Sequence, residues 1–213
     1  MEIELFKSES VAAIHVVPSG DHAKALDDLT AFFESVTQSN LKAIILSDKA
    51  ESDFDPGSGS HDESVKLDEI LIKIRDCPVP VIASVRNHVT SGGFEIVRAA
   101  HMCVASTLST FEISDSSTPE IPAKTAFSEG LVNRIVPSED VEAQTWDIVE
   151  RILKLAPLAI RSCLEAVNRG SRLSLQEGLA LELELFCQIF STKDMREGTN
   201  AFLEKRQPEF GGE

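Results

Sequence analysis

Residues 78–104, PVPVIASVRNHVTSGGFEIVRAAHMCV, carry the local signals that decide the fold. Within them, Val79–Val85 is a short, apolar, β-branched run beside prolines, which is typical of a buried strand. Ser91–Gly93 predicts a sharp turn with few side chains, where another part of the backbone can approach closely. Phe94–Ala100 then predicts a short helix. The stretch therefore predicts a strand, a glycine turn, a helix and a second strand that ends near Val104.

The glycine turn also predicts a site for an anion. The first amides of a helix have no partner within the helix and carry a partial positive charge. Such N–H groups stabilise a bound or developing negative charge. Glu95 lies in the first predicted turn, where its carboxylate could act as a general acid or base. The alternative for this stretch alone is a tight strand-to-helix connection without chemistry.

Composition indicates a globular protein of a reducing compartment. The 213 residues suffice for one sizeable domain with a small appendage, and the hydrophobic fraction of 42% is ordinary. The net charge of −15 argues against nucleic acid as a partner. We expect no membrane span, because no apolar run reaches about 18 residues, and the first residues do not resemble a signal peptide. Four widely spaced cysteines predict free thiols, no metal site and a cytoplasmic location.

The first part of the chain alternates strands and helices. Val11–Val17 and Leu41–Leu46 predict strands on either side of a helix over Ala25–Val36, which is the pattern of a right-handed parallel crossover. The loop Asp53–Asp62 follows, rich in Gly, Ser and Asp. The backbone of Pro56-Gly57-Ser58 would lie at the carboxyl end of a parallel strand, where α/β sheets bind ligands. The alternative for this loop is a flexible surface segment.

The last part of the chain is helical. Periodicity predicts helices over Pro157–Gly170 and Asp194–Lys205, and Ser174–Glu177 is a capping box that opens another helix between them. The apolar residues of that middle helix surround much of it, so we expect it to be buried within the domain or between subunits. We therefore divide the chain into a strand-rich α/β core at 1–137 and a helical region of the same structural unit at 138–213.

Five motifs, in order over most of the chain, resemble the enoyl-CoA hydratase/isomerase family, also called the crotonase superfamily. The Gly-Gly-Gly-x-Glu motif of that family is matched by Ser91–Glu95, after the Pro-Val-Ile-Ala strand. Its Phe-x-Ala-Gly-Ala-Asp motif is matched by Phe54–Gly59, and its Phe-Gly-x-Pro-Glu-Val motif by Ser106–Ile113. Its Gly-Leu-Val motif is matched by Ala126–Val132, and its C-terminal helix by Ser191–Phe210.

The resemblance implies a crotonase-like α/β fold, a spiral of ββα turns followed by a C-terminal helical region that forms trimers or hexamers. It implies an acyl-CoA thioester as substrate, whose enolate oxygen would accept hydrogen bonds from the backbone N–H groups of Ser58 and Gly92. Glu95 and Glu112 match the two glutamates of hydratases, where one activates water for attack at Cβ and the other exchanges the proton at Cα. No metal or separate cofactor is implied, since coenzyme A enters as part of the substrate.

Four further positions match substrate-contacting positions of the family. Gly57 and Gly93 lie beside the two oxyanion positions. Phe202 and Lys205 match C-terminal positions that contact the nucleotide portion of CoA bound to a neighbouring subunit. The alternatives for this last pair are a core aromatic side chain and a solvated lysine.

The chain departs from the family pattern after Glu112. Family members carry a Pro-Gly-x-Gly-Gly-Thr stretch and a helix that wall the acyl pocket, whereas this chain has only residues 114–120. Gly59 stands in place of the usual Asp, and Ser91 in place of the first glycine. Water in an open pocket weakens enolate stabilisation, so the alternatives to a hydratase are a non-catalytic acyl-CoA binding or scaffold protein, and an isomerase that uses Glu112 alone. A serine hydrolase acting through Ser91 is disfavoured, because no Gly-x-Ser-x-Gly elbow surrounds it.

Overall fold

The computed structural model describes residues 2–6, 10–17, 22–49, 52–56, 61–113 and 120–213. The chain forms two compact units, Met1–Asp147 and Ile148–Glu213. The elements of the first unit are, in chain order, β1 (Glu2–Phe6), β2 (Val11–His15), α1 (His22–Ser35), β3 (Ala43–Ser47), α2 (His61–Arg75), β4 (Val81–Val85), β5 (His88–Val89), α3 (Ser91–Ala99), β6 (Met102–Ser106), β7 (Thr110–Glu112), β8 (Glu120–Pro122), α4 (Ala123–Ser128) and β9 (Arg134–Val136). Helix α5 (Val141–Ile152) spans the boundary, and the second unit continues with α6 (Pro157–Gly170), α7 (Leu175–Ile189) and α8 (Lys193–Glu204).

Six strands of the first unit form one sheet, in the order β1-β2-β3-β4-β6-β9. Only the edge pair β1–β2 is antiparallel, and the other four pairings are parallel. The predicted crossover is confirmed, since β2 and β3 pair in parallel with α1 between them in the chain. The predicted strands keep their places, although β3 and β4 each begin two residues later than the apolar runs suggested.

Alternation along the strands and a helical period in α1 and α2 build the core. Ile14, Leu46 and Ala83 point to one face of the large sheet and belong to the same buried cluster as Leu26 of α1 and Ile70 of α2. A side chain of this size contributes roughly 1.5–3 kcal/mol when it is fully buried. The periodic apolar residues of the sequence therefore fix which faces of the helices and strands meet.

A second, smaller sheet of the order β5-β7-β8 has one apolar and one polar face. Its apolar face is buried through Val89, Phe111 and Ile121. The alternating residues lie on the opposite face, because successive side chains of a strand point to opposite sides. We call this the polar face of the small sheet, and its members are His88, Thr110, Glu112 and Glu120.

The second unit confirms the predicted capping box, and α6 and α8 lie within one residue of their predicted bounds. The Ser174 hydroxyl accepts the Glu177 N–H at 3.4 Å, while the Glu177 carboxylate accepts the Ser174 N–H at 3.0 Å. Helix α6 has the predicted bounds. We expected α7 to be buried. Within the single chain, only Leu185 of that helix is buried. The exposed apolar side chains of α7 and the residue after it are Leu175, Leu179, Leu183, Phe186 and Phe190.

The four cysteines divide between the two units. Cys77 and Cys103 are buried in the first unit, whereas Cys163 and Cys187 are exposed in the second, and all four thiols are free. Burial raises the pKa of Cys77 to about 11. Burial, together with the nearby Asp48, raises the pKa of Cys103 to about 12.

Two features are absent from the described part of the chain. No helix there is long and apolar enough to cross a membrane. No group of three or more His, Cys, Asp or Glu side chains there is arranged to hold a metal ion.

Candidate functional site

The loops after β3 and β4 are joined where both strands end. The Asp48 carboxylate accepts the Arg86 N–H at 2.7 Å and the Asn87 N–H at 2.9 Å. The Asn87 side-chain amide donates to the carbonyls of Lys49 and Ser52, each at 3.0 Å. Burial raises the pKa of Asp48, and the two backbone hydrogen bonds oppose that shift. The carboxyl ends of these two strands, where α/β sheets bind ligands, thus share one hydrogen-bonded network.

Phe54, in the loop after β3, contacts β5 and the start of α3. Its N–H donates to the His88 carbonyl at 2.9 Å, and its carbonyl accepts the Thr90 N–H at 3.3 Å. The Thr90 hydroxyl donates to the Asp55 carboxylate at 2.9 Å. A Cβ atom at Gly93 would lie 2.2 Å from the Phe54 carbonyl oxygen, so only glycine fits there. Close backbone approach at this motif, one of the two predicted reasons for glycine, is therefore present.

The other predicted reason, a sharp turn over Ser91–Gly93, is wrong. These residues form the first turn of α3, which begins three residues before the predicted Phe94. Among the described residues, only Lys205, Gly130 and Gly212 have positive φ. The reason for the early start is Thr90, an N-cap whose hydroxyl accepts the Gly93 N–H at 3.4 Å. The preference for threonine at helix N-caps was the signal that the sequence analysis did not use.

Glu112 lies at the N-terminal end of α3, although it belongs to β7. Its carboxylate accepts the Ser91 N–H at 3.3 Å. The partial positive charge of a helix N-terminus stabilises a carboxylate there. Gly92, the oxyanion position predicted from the resemblance, is the next residue of the helix and is buried. The structure thus brings the Glu112 carboxylate and the start of α3 together.

Glu95 follows Ser91 by four residues, which places both on one face of α3. Side chains of a helix lean toward its N-terminus, so Glu95 leans toward the end that contacts Glu112. Its carboxylate pairs with Arg98 Nη1 at 3.3 and 3.4 Å, and the Arg98 guanidinium lies 6.0 Å from the centre of the Phe94 ring. Arg98 was not predicted, although the acidic–basic spacing of three residues was an available signal.

The other predicted site residues fall elsewhere. Gly57 and Ser58, with Gly59, lie outside the described residues, directly after the Phe54–Pro56 segment. Phe202 and Lys205 belong to the second unit. Phe202 is 81% exposed, so the alternative of a core aromatic side chain is wrong, and it borders an apolar cavity of about 460 Å³ together with Phe210. Lys205 is exposed and ends α8 with a left-handed φ of 56°.

Solved structures similar to this chain define its fold. The enoyl-CoA hydratase of Bacillus anthracis superimposes with a TM-score of 0.88 at 22% identity, covering 100% of both chains. Human enoyl Coenzyme A hydratase domain-containing protein 3 superimposes with a TM-score of 0.86 at 21% identity, covering 98% of this chain and 99% of that one. The fold is therefore the crotonase fold, as the motifs predicted.

Sequence comparisons agree with the structural ones. Residues 116–213 match the family model described as Enoyl-CoA hydratase/isomerase. The "Short-chain-enoyl-CoA hydratase" of Clostridium acetobutylicum is 26% identical over 230 residues, covering 90% of this chain and 87% of that protein. The "Probable enoyl-CoA hydratase, mitochondrial" of Dictyostelium discoideum is 30% identical over 166 residues, and that match covers 65% of this chain and 59% of the relative. The resemblance of this chain to the enoyl-CoA hydratase/isomerase family is thereby confirmed.

Proposed function

We propose that this chain binds an acyl-CoA thioester and adds water across the double bond of a 2-enoyl-CoA. The observation that carries the proposal is the position of Glu112, whose carboxylate meets the N-terminus of α3 beside Gly92 and one helical turn from Glu95. Two carboxylates beside the amides of a helix N-terminus are the groups that hydration of a thioester-conjugated alkene requires.

The proposed reaction uses each group once. One glutamate takes a proton from water as the water oxygen forms a bond to Cβ. The electrons of the double bond move toward the thioester, and the Gly92 N–H holds the resulting enolate oxygen, assisted by the Ser58 N–H. The other glutamate gives a proton to Cα, so the product gains one H and one OH. The proton left on the first glutamate must pass to the second, directly or through solvent, before the next cycle.

The first experiment measures hydration directly. Purified protein is mixed with crotonyl-CoA, and the loss of the conjugated thioester absorbance is followed while mass spectrometry detects the product heavier by one water. Glu95→Gln and Glu112→Gln should each lower kcat by about 10²–10⁴-fold, the usual contribution of a positioned acid or base. Glu69→Gln, on the exposed side of α2, is the matched control and should keep full activity. Unchanged turnover in both site variants would refute the acid–base pair, and binding without turnover in the wild type would favour the scaffold hypothesis.

A second candidate reaction follows from Arg98. Because Arg98 pairs with the Glu95 carboxylate while the Glu112 carboxylate accepts the Ser91 N–H at the start of α3, proton transfer by Glu112 alone is also supported. That arrangement suits an enoyl-CoA isomerase, in which one carboxylate moves a proton between two carbons. A 3-enoyl-CoA that becomes conjugated with Glu95→Gln as fast as with wild type would assign this reaction instead.

We further infer that the protein acts as a homo-oligomer in the cytoplasm. The exposed apolar side chains of α7 support self-association, since such surfaces mark interfaces. Four free cysteines suit a reducing compartment. This proposal includes the trimer or hexamer expected from the resemblance. It also includes contacts of Phe202 and Lys205 with the CoA bound to a neighbouring subunit.

A further inference from the structure

We propose that His88 is a positioning residue for Glu112 and acts through Glu120. The imidazole draws the Glu120 carboxylate toward one end of the polar face of the small sheet, which leaves Glu112 at the Ser91 N–H. The catalytic consequence rests on the proposed function, whereas the contacts themselves do not.

Register places the three titratable side chains on one face. His88 lies beside Thr110 in the parallel pair β5–β7. Glu112 follows Thr110 by two residues, and Glu120 lies directly opposite Glu112 in the antiparallel pair β7–β8. The buried residues Val89, Phe111 and Ile121 occupy the other face of the same strands, so slippage that would move these polar groups apart is opposed.

The two carboxylates need a counterpart. Side chains directly opposite in an antiparallel pair have Cβ atoms about 4.5–5.5 Å apart, and like charges there repel. Both groups accept hydrogen bonds but cannot donate them when ionised. Without a third group, Glu120 would push the Glu112 carboxylate away from the helix terminus.

His88 supplies that third group from the far side of Thr110. Its Nδ1 lies 3.6 Å from Glu120 Oε1 and 3.0 Å from the Thr110 hydroxyl. The pair is partly exposed, with 35% of the His88 side chain and 55% of the Glu120 side chain accessible. Since Thr110 precedes Glu112 by two residues on β7, attraction to His88 displaces the Glu120 carboxylate along the sheet, away from Glu112.

A double-mutant cycle tests this arrangement with crotonyl-CoA as substrate. His88→Gln should lower kcat about tenfold, within the range of coupling between contacting residues, and change KM less than about twofold. Glu120→Gln removes the repulsion at its source, so the double variant His88→Gln/Glu120→Gln should recover to within about threefold of wild type. His22→Gln, on α1, is the matched control for the histidine replacement and should retain wild-type kcat.

A merely structural role for His88 gives a different result. The double variant would then be as slow as His88→Gln or slower, and that outcome would overturn the proposal. If the wild type hydrates no enoyl-CoA, the proposed function fails, and the same four proteins are compared by thermal unfolding at pH 7. Recovery of Tm in the double variant then supports the cluster, whereas additive losses of Tm overturn it.

Discussion

Gly93 is required by a contact and not by its backbone conformation. The residue is helical, yet the space that a Cβ would fill holds the Phe54 carbonyl oxygen and, at 3.0 Å, the edge of the Phe54 ring. The N-cap residue Thr90 of α3 donates its N–H to the same Phe54 carbonyl. We therefore expect a side chain at Gly93 to disturb the contact between Phe54 and the start of α3.

Gly93→Ala should destabilise the fold by about 1–3 kcal/mol, the usual cost of overpacking a filled site, and should abolish the hydration activity. The measurement is urea unfolding combined with the crotonyl-CoA assay. Gly198→Ala, within α8, is the matched control. A Cβ atom at Gly198 would lie 3.5 Å from the Phe210 ring, which is an ordinary van der Waals contact. We expect that variant to gain about 0.5–1 kcal/mol from helix propensity. Equal behaviour of the two variants would contradict the contact argument.

His101 makes the stability of the first unit depend on pH. Its Nδ1 accepts the Val81 N–H at 2.9 Å, and its Nε2 lies 3.2 Å from the Arg75 carbonyl, so the neutral ring satisfies both partners. Burial lowers the pKa of His101 below its ordinary value of 6.5. The unfolded chain then binds more protons than the folded one, and the free energy of unfolding falls as pH drops below about 6.5.

Urea titrations between pH 7.5 and 5.5 measure this dependence. His101→Gln should flatten the slope of unfolding free energy against pH, whatever it costs in stability at pH 7.5. Asp48, whose raised pKa contributes with the opposite sign, is present in both proteins and cancels in the comparison. An unchanged slope in the variant would assign the pH dependence to other groups.

At the scale of elements, the capping box of α7 permits a clean test of local stability. Ser174→Ala should lower the unfolding free energy by about 1 kcal/mol, because the N-terminal amides of α7 lose their side-chain acceptor. Ser171→Ala is the control, since the Ser171 hydroxyl only donates to the nearby Asn168 carbonyl, and it should change stability by less than about 0.5 kcal/mol. Denaturation followed by circular dichroism separates the two outcomes, and equal losses would count against the cap.

Elements with strong periodicity were predictable, whereas the strands of the small sheet were not. Helix α6 follows its apolar period from Pro157 to Gly170, so its bounds could be taken from the sequence. The strands β5, β7 and β8 have two or three residues each and too little alternation to identify them. Glu112 lies in a motif that matches the family, but the neighbouring side chains His88 and Glu120 are placed by the pairing of those short strands. They could not be found from local pattern.

At the scale of the whole molecule, helix α7 exposes large apolar side chains in the single chain. Leu183 is 63% exposed and Phe186 is 55% exposed in the single chain. We expect light scattering at micromolar concentration to give a trimer or a larger multiple. Leu183→Glu combined with Phe186→Glu should shift the mass toward the monomer, whereas Glu182→Gln on the same helix should not. A monomeric wild type would contradict this prediction.

Two thiols are buried and two are exposed in the single chain, so cysteine alkylation can report the conformational opening of the first unit. Cys163, which lies outside α7, should be alkylated in the native state, whereas Cys77 and Cys103 lack both access and thiolate at neutral pH. Intact-mass spectrometry after a pulse of iodoacetamide would therefore show two more adducts on molecules whose first unit has opened than on folded molecules. The ratio of these two peaks gives the population of opened chains in a mixture, and no label or mutation needs to be introduced.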